Sequence, residues 1–473
     1  MDDNKKLIPE RDAGTDAGTT AETTGREAKR GLLVIAAASF MVPFMASALN
    51  LAMPEIGARF AMTAGRLAWV ATAYLISTAI LQVPLSRLAD MVGRRKIFCR
   101  GVLLFSVATF ACGLAPSGWA LLATRFISGA GSAMMFGTGT AILTSLFPPG
   151  RRGWALGINV AVVYAALAAG PFLGGMLTHH LGWEAIFFVS GGAGIGVLVL
   201  ARRRLRGEWV EARGERFDWT GSILYGLGLA GVIYGFSALS GASGWPCLVM
   251  GTAALVVFAL HERRHASPVF NVRLLAGNRV FAMSLLAALI NYAATAGIAF
   301  MLSLYLQYVR GMDARHAGLI LICQACVQSV CSLVSGRLSD RFSPARLATW
   351  GMAISVAGLA ELVFLAEGTP PALIIGLLAV LGVGFGIFSS PNTNLIMSSV
   401  ARQHYGQAAA ISGTVRLAGQ AISMGIAGMV ISFYAGERVL TPALHAEITL
   451  AARVTFLIFL ALCLVGVRAS GRR

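Results

Sequence analysis

Two short segments of the sequence place an aspartate just before a cluster of arginines. They read PLSRLADMVGRRK, beginning at Pro84, and VSGRLSDRFSPAR, beginning at Val334. Their aspartates are Asp90 and Asp340. A carboxylate at a helix end can pair with a guanidinium group, or accept hydrogen bonds from the N–H groups of a neighbouring helix N-terminus. The repeat predicts a polar latch, present in two copies, that holds helices together in one conformation and breaks in another.

Two further charged residues, Arg125 and Arg416, lie inside long apolar stretches of the chain. If those stretches cross a membrane, an arginine within them is energetically costly and marks a functional site. Such a guanidinium group can bind a carboxylate or sulfonate group of a ligand. The alternative is structural: main-chain carbonyls, Asn50, Asn159 and water molecules would satisfy both arginines within the fold.

The composition indicates that membrane-spanning helices position these charged groups. Of 473 residues, 56% are hydrophobic and 12% are charged, and the mean hydropathy is +0.72. A soluble domain carries about 25% charged residues. Apolar stretches of roughly 18 or more residues, enough to cross about 30 Å of hydrocarbon, recur from Gly31 to the C-terminus. The chain is therefore predicted to be an all-α membrane protein with many spans.

The apolar stretches predict fourteen transmembrane helices. They cover roughly residues 31–53, 67–87, 97–115, 119–140, 154–177, 184–201, 219–239, 246–261, 280–306, 316–337, 346–366, 371–391, 407–433 and 450–467. The two latch segments follow the second and the tenth of these spans. A basic loop that only fixes membrane orientation is the alternative interpretation of each segment.

The basic residues predict the orientation of the spans. With the N-terminus inside, the outer loops hold few of the 38 Lys and Arg residues, namely Arg59, Arg66, Arg310, Arg315, Arg438 and Arg453. This bias predicts that both termini are cytoplasmic. The net charge of +17 then reflects contact with anionic lipid head groups, and no nucleic-acid partner is expected. Residues 1–30 are polar and are expected to form a disordered cytoplasmic tail.

Further motifs follow the first latch segment in a fixed order. RFISGAGSA begins at Arg125 in the fourth span, and GPFLGG begins at Gly170 in the fifth. FDWTG, LYLQYVRG and SPNTN follow, beginning at Phe217, Leu304 and Ser390. Proline bends the fifth span because it removes a backbone hydrogen bond, while the glycines allow a neighbouring backbone to approach closely. Ordinary packing of small residues between helices is the alternative interpretation of GPFLGG.

From about Gly31 to Val467 the chain resembles the major facilitator superfamily, in its fourteen-helix drug:proton antiporter branch of multidrug-exporter type. The loop signature of that superfamily is matched by Ser86, Leu88, Ala89, Asp90, Gly93, Arg94 and Arg95. The family pattern of the fourth span is matched by Arg125, Gly129 and Gly131, and the antiporter motif by Gly170, Pro171, Gly174 and Gly175. The resemblance implies that the second latch is formed by Gly336, Asp340 and Arg341.

The resemblance also implies the fold and the domain organisation. A six-helix bundle is expected over residues 31–201 and another over residues 280–473, which include a short tail. Residues 202–279 would be a linker that carries two additional transmembrane helices. The two bundles of such a major facilitator fold enclose a cavity at the membrane midplane and rock against each other to give alternating access.

The first span departs from the family pattern at one position. Aligning that pattern on Pro54 brings Ala52, Asn50 and Ser47 into register, but Met45 stands where the family has an aspartate that carries protons. Met45 lies about 9 Å from the outer face at 1.5 Å per residue, and Arg125 lies at the same depth. The two residues are therefore predicted to share a level, with no carboxylate to pair with the arginine.

Apart from Arg125 and Arg416, the cavity is expected to be polar but neutral or soft. Its candidate residues, with those named above, are Met41, Met45, Asn50, Arg125, Tyr164, Asn291, Tyr292, Gln324, Gln328, Asn392 and Arg416. Methionines suit a promiscuous binding surface because they re-pack easily, although in a membrane core they often only fill space. No core-lining span offers another deep acid, and Glu361 is expected at the periphery.

The favoured function is a secondary active exporter of amphiphilic small molecules in the cytoplasmic membrane. The alternative is a facilitator or anion exchanger for a carboxylate- or sulfonate-bearing solute, not coupled through the usual first-helix acid. Protons are a candidate coupling ion, and the protein is expected to be a monomer. No cofactor, metal or catalytic residue is expected, because no His/Glu metal motif, nucleophile elbow or Gly-Lys-Ser/Thr phosphate loop stands out.

Overall fold

The computed structural model describes residues 13–238, 243–265, 268–269, 275, 277–339, 341–400, 405–436 and 438–471. Long helices make up almost all of these ranges, and the only extended pairing within them is an isolated antiparallel bridge between Thr63 and Val439. The all-α fold class predicted from the sequence is confirmed. The aspartate of the second latch, Asp340, lies outside the described residues.

The helices of the first half and of the linker are α1 (Ala13–Arg59), α2 (Ala64–Val92), α3 (Arg94–Gly113), α4 (Gly118–Leu146), α5 (Pro149–Leu181), α6 (Glu184–Arg204), α7 (Trp219–Ser237) and α8 (Gly244–Glu262). Those of the second half are α9 (Arg279–Ala293), α10 (Gly297–Leu304), α11 (Ala314–Leu338), α12 (Pro344–Leu362), α13 (Pro371–Ser398), α14 (Tyr405–Ala435) and α15 (His445–Ser470).

Each of the fourteen predicted spans coincides with a helix or a helix pair of the structure. Thirteen stretches of the described residues are long and apolar enough to cross a membrane, and α9 and α10 count as one of them. The predicted span that falls outside this set is α12, a 19-residue helix with Arg346 and Glu361 near its ends. Glu361 is exposed, in agreement with its predicted peripheral position.

Two predicted elements differ from the structure. Residues 13–30, predicted to be disordered, continue α1 upstream, whereas residues 1–12 lie outside the described ranges. Extending an existing helix avoids the cost of nucleating a new one, which explains why a polar segment can be helical there. The ninth span, predicted to be continuous, is interrupted between α9 and α10 and ends in a π-helical turn, Tyr305–Val309. The Ser423 hydroxyl accepts a 2.9 Å hydrogen bond from the Gly297 N–H group at this break.

The chain arranges these helices as two packed halves with α7 and α8 as an additional pair. Within the first half α1 packs on α5 and α2 on α4, and in the second half α11 packs on α13 and α9 on α14. Between the halves, α5 packs along α11 and α2 along α14, while α7 contacts both α2 and α14. The end of the bundle that holds Asp90 and Arg94 is called the basic end below, and the other the opposite end.

Candidate functional site

Arg125 of α4 is fully buried in the first half, with 1% of its surface exposed. Its Nε donates a 3.0 Å hydrogen bond to the carbonyl oxygen of Val70, and its guanidinium carbon lies 4.4 Å from the centroid of the Tyr74 ring. A guanidinium group over an aromatic face is stabilised by the ring quadrupole, and more strongly where water is excluded. The charge of Arg125 is therefore held by neutral groups of α2.

Met45 of α1 supplies the remaining contact of this arginine. Its Sδ lies 3.7 Å from Nη1 of Arg125, and the Thr109 hydroxyl approaches the same sulfur at 4.0 Å. The shared depth predicted from the sequence is confirmed by this contact. Within the described residues Arg125 forms no ion pair, so a thioether occupies the place beside the guanidinium where the resembled family has a carboxylate.

The candidate cavity residues differ in exposure in this conformation. Asn291 and Asn392 are buried in the second half, each 3% exposed. Met41, Met45 and Arg125 are sealed inside the first half, each less than 5% exposed, so they line no open space here. Asn50, Tyr164, Tyr292, Gln324, Gln328 and Arg416 are partly exposed.

The second half contributes residues along its contact with the first half. The Tyr164 hydroxyl of α5 forms a short hydrogen bond with the Ser389 hydroxyl of α13, and the Arg416 guanidinium lies 5.8 Å from the ring centroid of Phe136 on α4. Both contacts join the two halves. The second intramembrane arginine is thus positioned at the interface between the halves, where a ligand between them would meet it.

Other predicted cavity residues take part in helix packing. The buried Asn392 donates a 3.2 Å hydrogen bond to the carbonyl of Ser284. The main chain at Gln324 and Gln328 lies against glycines of α13, and Tyr292 lies against a glycine of α14. These residues have a structural role in addition to any exposed side-chain surface that they offer.

Several neutral polar atoms are buried without a hydrogen-bond partner within the described part of the chain. They include Asn291 Nδ2 and Ser284 Oγ on α9, Gln82 Oε1 on α2, Asn159 Oδ1 on α5 and Thr414 Oγ1 on α14. Buried polar groups usually have a partner, and groups without one commonly bind water or a ligand. Asn159 does not satisfy either arginine through this oxygen, which removes one of the structural alternatives considered for them.

The glycines of the GPFLGG segment let α5 touch two helices at once. A Cβ atom at Gly170 would lie 2.5 Å from Ser47 Cβ, and one at Gly174 would lie 2.6 Å from Ala48 Cα. On the other side, a Cβ atom at Gly175 would lie 2.5 Å from the carbonyl oxygen of Ala314. No side chain fits at these positions. The segment therefore packs tightly between α1 of the first half and α11 of the second.

Pro171 within this segment has no N–H group to offer the carbonyl of Leu167, four residues earlier. The Ser47 hydroxyl of α1 donates a 3.1 Å hydrogen bond to that carbonyl. The bend of α5 is thereby tied to α1 by a polar contact as well as by close packing.

The two halves are closed against each other toward the opposite end. From α10 and its π-helical end, the Ser303 hydroxyl donates to the carbonyl of Asn50 at 2.6 Å, and the Gln307 amide donates to that of Leu51 at 3.3 Å. The Tyr308 hydroxyl donates to the carbonyl of Pro54 at 3.2 Å. Pro54 leaves the Asn50 carbonyl without its helical donor, as Pro171 does for Leu167. Ser303 thus supplies the donor that the Asn50 carbonyl lacks, and the adjoining LYLQYVRG segment adds two further hydrogen bonds to α1.

Asp313 lies in the loop before α11 at the same end. Its carboxylate accepts a 2.7 Å hydrogen bond from the backbone N–H group of His316, and His179 of α5 lies 3.8 Å away. The hydrogen bond from His316 holds the pKa of the Asp313 carboxyl below its ordinary value. An ionised N-cap therefore begins α11 beside the end of α5, and adds a polar contact to the closed side.

The first latch forms at the basic end, with an additional participant. The Arg94 side chain, 8% exposed, donates to Asp90 at 2.7 Å and to both carboxylate oxygens of Glu211 at 2.7 Å. The backbone N–H groups of Glu211 and Ala212 donate to the Asp90 carbonyl at 3.0 Å. The predicted pairing of Asp90 with a basic residue is confirmed: near the end of α2, its carboxylate accepts from the side chain of Arg94, the first residue of α3.

The loop after α6 therefore belongs to the latch, although the sequence motif does not include it. Glu215 pairs with Arg87, and Glu208 accepts a 2.8 Å hydrogen bond from the Arg95 N–H group. Gly93 sits at φ 127°, a conformation that glycine tolerates, with its Cα against the Glu208 carboxylate. Three glutamates within a strongly basic loop are the sequence signal that could have revealed these partners.

The second latch is described only in part, since Asp340 lies outside the described residues. Arg341 is exposed. Gly336 approaches Ser390 of α13, whose hydroxyl would lie 2.8 Å from an added Cβ atom, and Asn394 donates a 3.0 Å hydrogen bond to the Ser339 hydroxyl. In the first copy, the equivalent Ser86 approaches Gly137 of α4, where an added Cβ atom would overlap the Ser86 hydroxyl. Both segments thus pack closely on a neighbouring helix of their own half.

The expectation that no His/Glu metal motif is present is wrong at the end of α8. His261 to His265 reads HERRH, which has the H-E-x-x-H spacing. Nitrogen atoms of His261 and His265 and a carboxylate oxygen of Asp218 lie within 4.8 Å of one another. The sequence predicts that the chain binds no metal, and this stays a prediction.

Comparisons with known proteins show which proteins this chain is similar to. Residues 35–424 and 284–469 match the family model described as Major Facilitator Superfamily. The methylenomycin A resistance protein of Bacillus subtilis (strain 168) is 29% identical over 455 residues, covering 93% of this chain and 97% of its own length. The riboflavin transporter RibZ of Clostridioides difficile (strain 630) is 26% identical over 388 residues, covering 81% and 84%. An inward-facing, unoccupied crystal structure of a bacterial homolog to the human lysosomal transporter Spinster matches with a TM-score of 0.69 and 17% identity. That match covers 94% of this chain and 96% of the other.

Proposed function

The chain belongs to the Major Facilitator Superfamily, and we propose that it exports amphiphilic small molecules across the cytoplasmic membrane by alternating access. It is a multi-pass membrane protein of the transporter type. Beyond family membership, we propose that the transported compounds are drug-like, that they move outward and that an ion drives the transport.

The observation that carries this proposal is the packing of the GPFLGG segment between the two halves. Gly174 and Gly175 hold α5 in contact with α1 on one side and with α11 on the other. Hydrogen bonds from Ser303, Gln307 and Tyr308 close the same region toward the opposite end. A bent, tightly packed helix between two halves is where a rocking motion would pivot. The opposite end, which is predicted to face outward, is closed in this conformation.

The resistance proteins among the relatives favour export over uptake. A protein named for methylenomycin A resistance aligns with this chain over almost its whole length. The motif order of the present chain is that of the multidrug exporters which it resembles. The compound carried by this chain is proposed only as a class, since a relative named for riboflavin transport aligns nearly as fully.

The charge inside the first half favours neutral or anionic substrates. Arg125 is buried among Met45, the Tyr74 ring and a carbonyl, none of which carries a negative charge. An unpaired guanidinium group in a medium of low dielectric repels a nearby cation. If transport is coupled to protons, a carrier other than an acid at the position of Met45 is required, and Glu55, Glu184 and Glu361 are the candidates.

A facilitator or anion exchanger is the second candidate function. The observation in its favour is the position of Arg416, which is partly exposed and lies at the contact between the two halves. A carboxylate or sulfonate group of a solute could bind there without proton coupling. Such a carrier would use the same two halves and the same pivot, so it differs in substrate and coupling only.

Transport into proteoliposomes with an imposed pH gradient tests the proposal. Neutral, cationic and anionic amphiphiles would be compared at equal membrane partitioning, with and without the gradient. Accumulation driven by the gradient supports a proton-coupled exporter. Equilibration of an anion with no response to the gradient supports the facilitator. Failure to move any of the three classes would reject both.

A further inference from the structure

Two histidines and a buried aspartate meet at the basic end of the additional helix pair, away from the interface between the halves. Asp218 begins α7, and its side chain is 3% exposed. His261 lies in the last turn of α8, and His265 follows one turn later. The His261 Nε2 atom lies 3.0 Å and 3.2 Å from the two carboxylate oxygens of Asp218, and His265 Nδ1 lies 3.8 Å from Oδ2.

We infer that Asp218, His261 and His265 form a binding site for a divalent transition metal ion, with Zn²⁺ as the best-fitting ion. Imidazole nitrogen and carboxylate oxygen are ligands that Zn²⁺ takes in proteins. Bonds of about 2.0–2.2 Å in a tetrahedral site place donor atoms about 3.4 Å apart. The His261 and His265 nitrogens lie 3.0 Å and 3.8 Å from Asp218 Oδ2, on either side of that distance.

The backbone at both helix ends arranges these donors in advance. The Gly221 N–H group donates a 2.8 Å hydrogen bond to Asp218 Oδ1, so the N-cap interaction fixes the carboxylate. His265 lies just beyond the end of α8, but its N–H group donates a 3.1 Å hydrogen bond to the His261 carbonyl, and the two ring centroids lie 5.2 Å apart. A site formed before the ion arrives loses little conformational entropy on binding.

A second carboxylate lies beside the first. Glu262 is 4% exposed, and its Oε1 atom would lie 2.6 Å from a Cβ atom at Gly221, as a close neighbour of Asp218 Oδ2. This second buried carboxylate adds negative charge next to the three donor residues, which favours a cation there.

The position of the site indicates a role in holding the additional helices and not in hydrolysis. It joins the start of α7 to the end of α8, and α7 in turn packs on α2 and α14 of the two halves. A metal ion there would hold the start of α7 against the end of α8. The inference is independent of the proposed transport function, because no substrate contact is involved.

The test is the zinc content of the full chain, purified without a polyhistidine tag, after equilibration with Zn²⁺ and removal of loosely bound ion. We expect about one Zn²⁺ per chain and a higher melting temperature with Zn²⁺ than with EDTA. Binding of Co²⁺ should give the visible absorption of a tetrahedral site. Wild-type protein that takes up no zinc would overturn the inference without reference to any variant.

Three variants locate the site. His261→Ala and His265→Ala should each weaken zinc binding at least tenfold, and Asp218→Asn should do so while its amide oxygen still caps α7. His180→Ala is the matched control, since His180 lies at the opposite end and contacts His179. Zinc retained in both histidine variants, or lost in the His180 control, would contradict the assignment.

Discussion

The Ser47 hydroxyl of α1 donates a 3.1 Å hydrogen bond to the carbonyl of Leu167 on α5, the carbonyl that Pro171 leaves without a helical donor. An unsatisfied buried carbonyl costs about 1–3 kcal/mol, so this contact is a defined link between the bend of α5 and α1. Because α5 also packs along α11, the helix that is tied to α1 by this link is one that contacts the second half.

Gly174→Ala should abolish or severely reduce transport while the protein still inserts. The added Cβ atom would lie 2.6 Å from Ala48 Cα, so α1 and α5 must separate, at a cost of about 1–3 kcal/mol. Gly157→Ala in the same helix is the control, because a Cβ atom there meets nothing within 4 Å. Transport rates of both variants at equal membrane abundance provide the measurement. Equal activity of the two would show that close approach at Gly174 is not required.

The sequence predicted that Met45 and Arg125 share a depth because helical rise converts residue number into depth, and both residues lie within long helices. It did not predict that Arg94 binds Glu211, since that contact depends on the path of a loop that has no periodicity. The break between α9 and α10 was also missed, because Ser423 of a distant helix satisfies the N–H group of Gly297 there. Tertiary partners of this kind leave no local pattern.

Asp90→Asn and Glu211→Gln should each lower the transport rate several-fold while leaving folding largely intact. Arg94 keeps one carboxylate partner in either variant, so no buried charge is left alone, but one latched conformation loses stability. Glu27→Gln is the control, since Glu27 of α1 is exposed and is not part of the latch. Rates measured in proteoliposomes should fall for the first two only. Unchanged rates would leave the loop with a role in membrane orientation alone.

The orientation of the bundle can be tested at two exposed positions. Ser243, before α8, should lie outside, and Arg213, before α7, should lie in the cytoplasm. A cysteine at each position would be treated with a membrane-impermeant thiol reagent in intact and in opened cells. Ser243→Cys should react in both preparations and Arg213→Cys in opened cells only. Reaction of both in intact cells would remove α7 as a membrane span.

Loss of the donors on α10 should open the side that is closed in this conformation. The double variant Ser303→Ala, Gln307→Ala removes two hydrogen bonds to α1, at about 1 kcal/mol each, and so shifts the population of conformers. Spin labels on Leu181 and Phe433, one in each half near the opposite end, should report a longer distance. Ser329→Ala is the control, because that hydroxyl binds a carbonyl of its own helix. An unchanged distance distribution would assign the closure to packing alone.

Met45→Asp should convert the buried guanidinium site into an ion pair and admit cations. Asp Oδ atoms are as many bonds from the backbone as Met Sδ, which lies 3.7 Å from Nη1 of Arg125. In the wild type, a cation about 7 Å from the unpaired guanidinium is repelled by about 2 kcal/mol at an effective dielectric constant of about 20. Removing that repulsion corresponds to roughly a thirtyfold gain in affinity for a lipophilic cation.

Met45→Asn is the matched control for this charge, since it has the same shape and no charge. Uptake of a lipophilic cation and of an anionic amphiphile would be measured for wild type and both variants across a pH series. We expect cation transport and a steeper pH dependence in Met45→Asp alone, because a carboxylate beside Arg125 can exchange protons as the site opens and closes. The anionic substrate should be carried best by the wild type. Strong, gradient-driven cation efflux by the wild type would contradict the charge argument, and it would direct the search for the proton carrier to Glu55, Glu184 and Glu361.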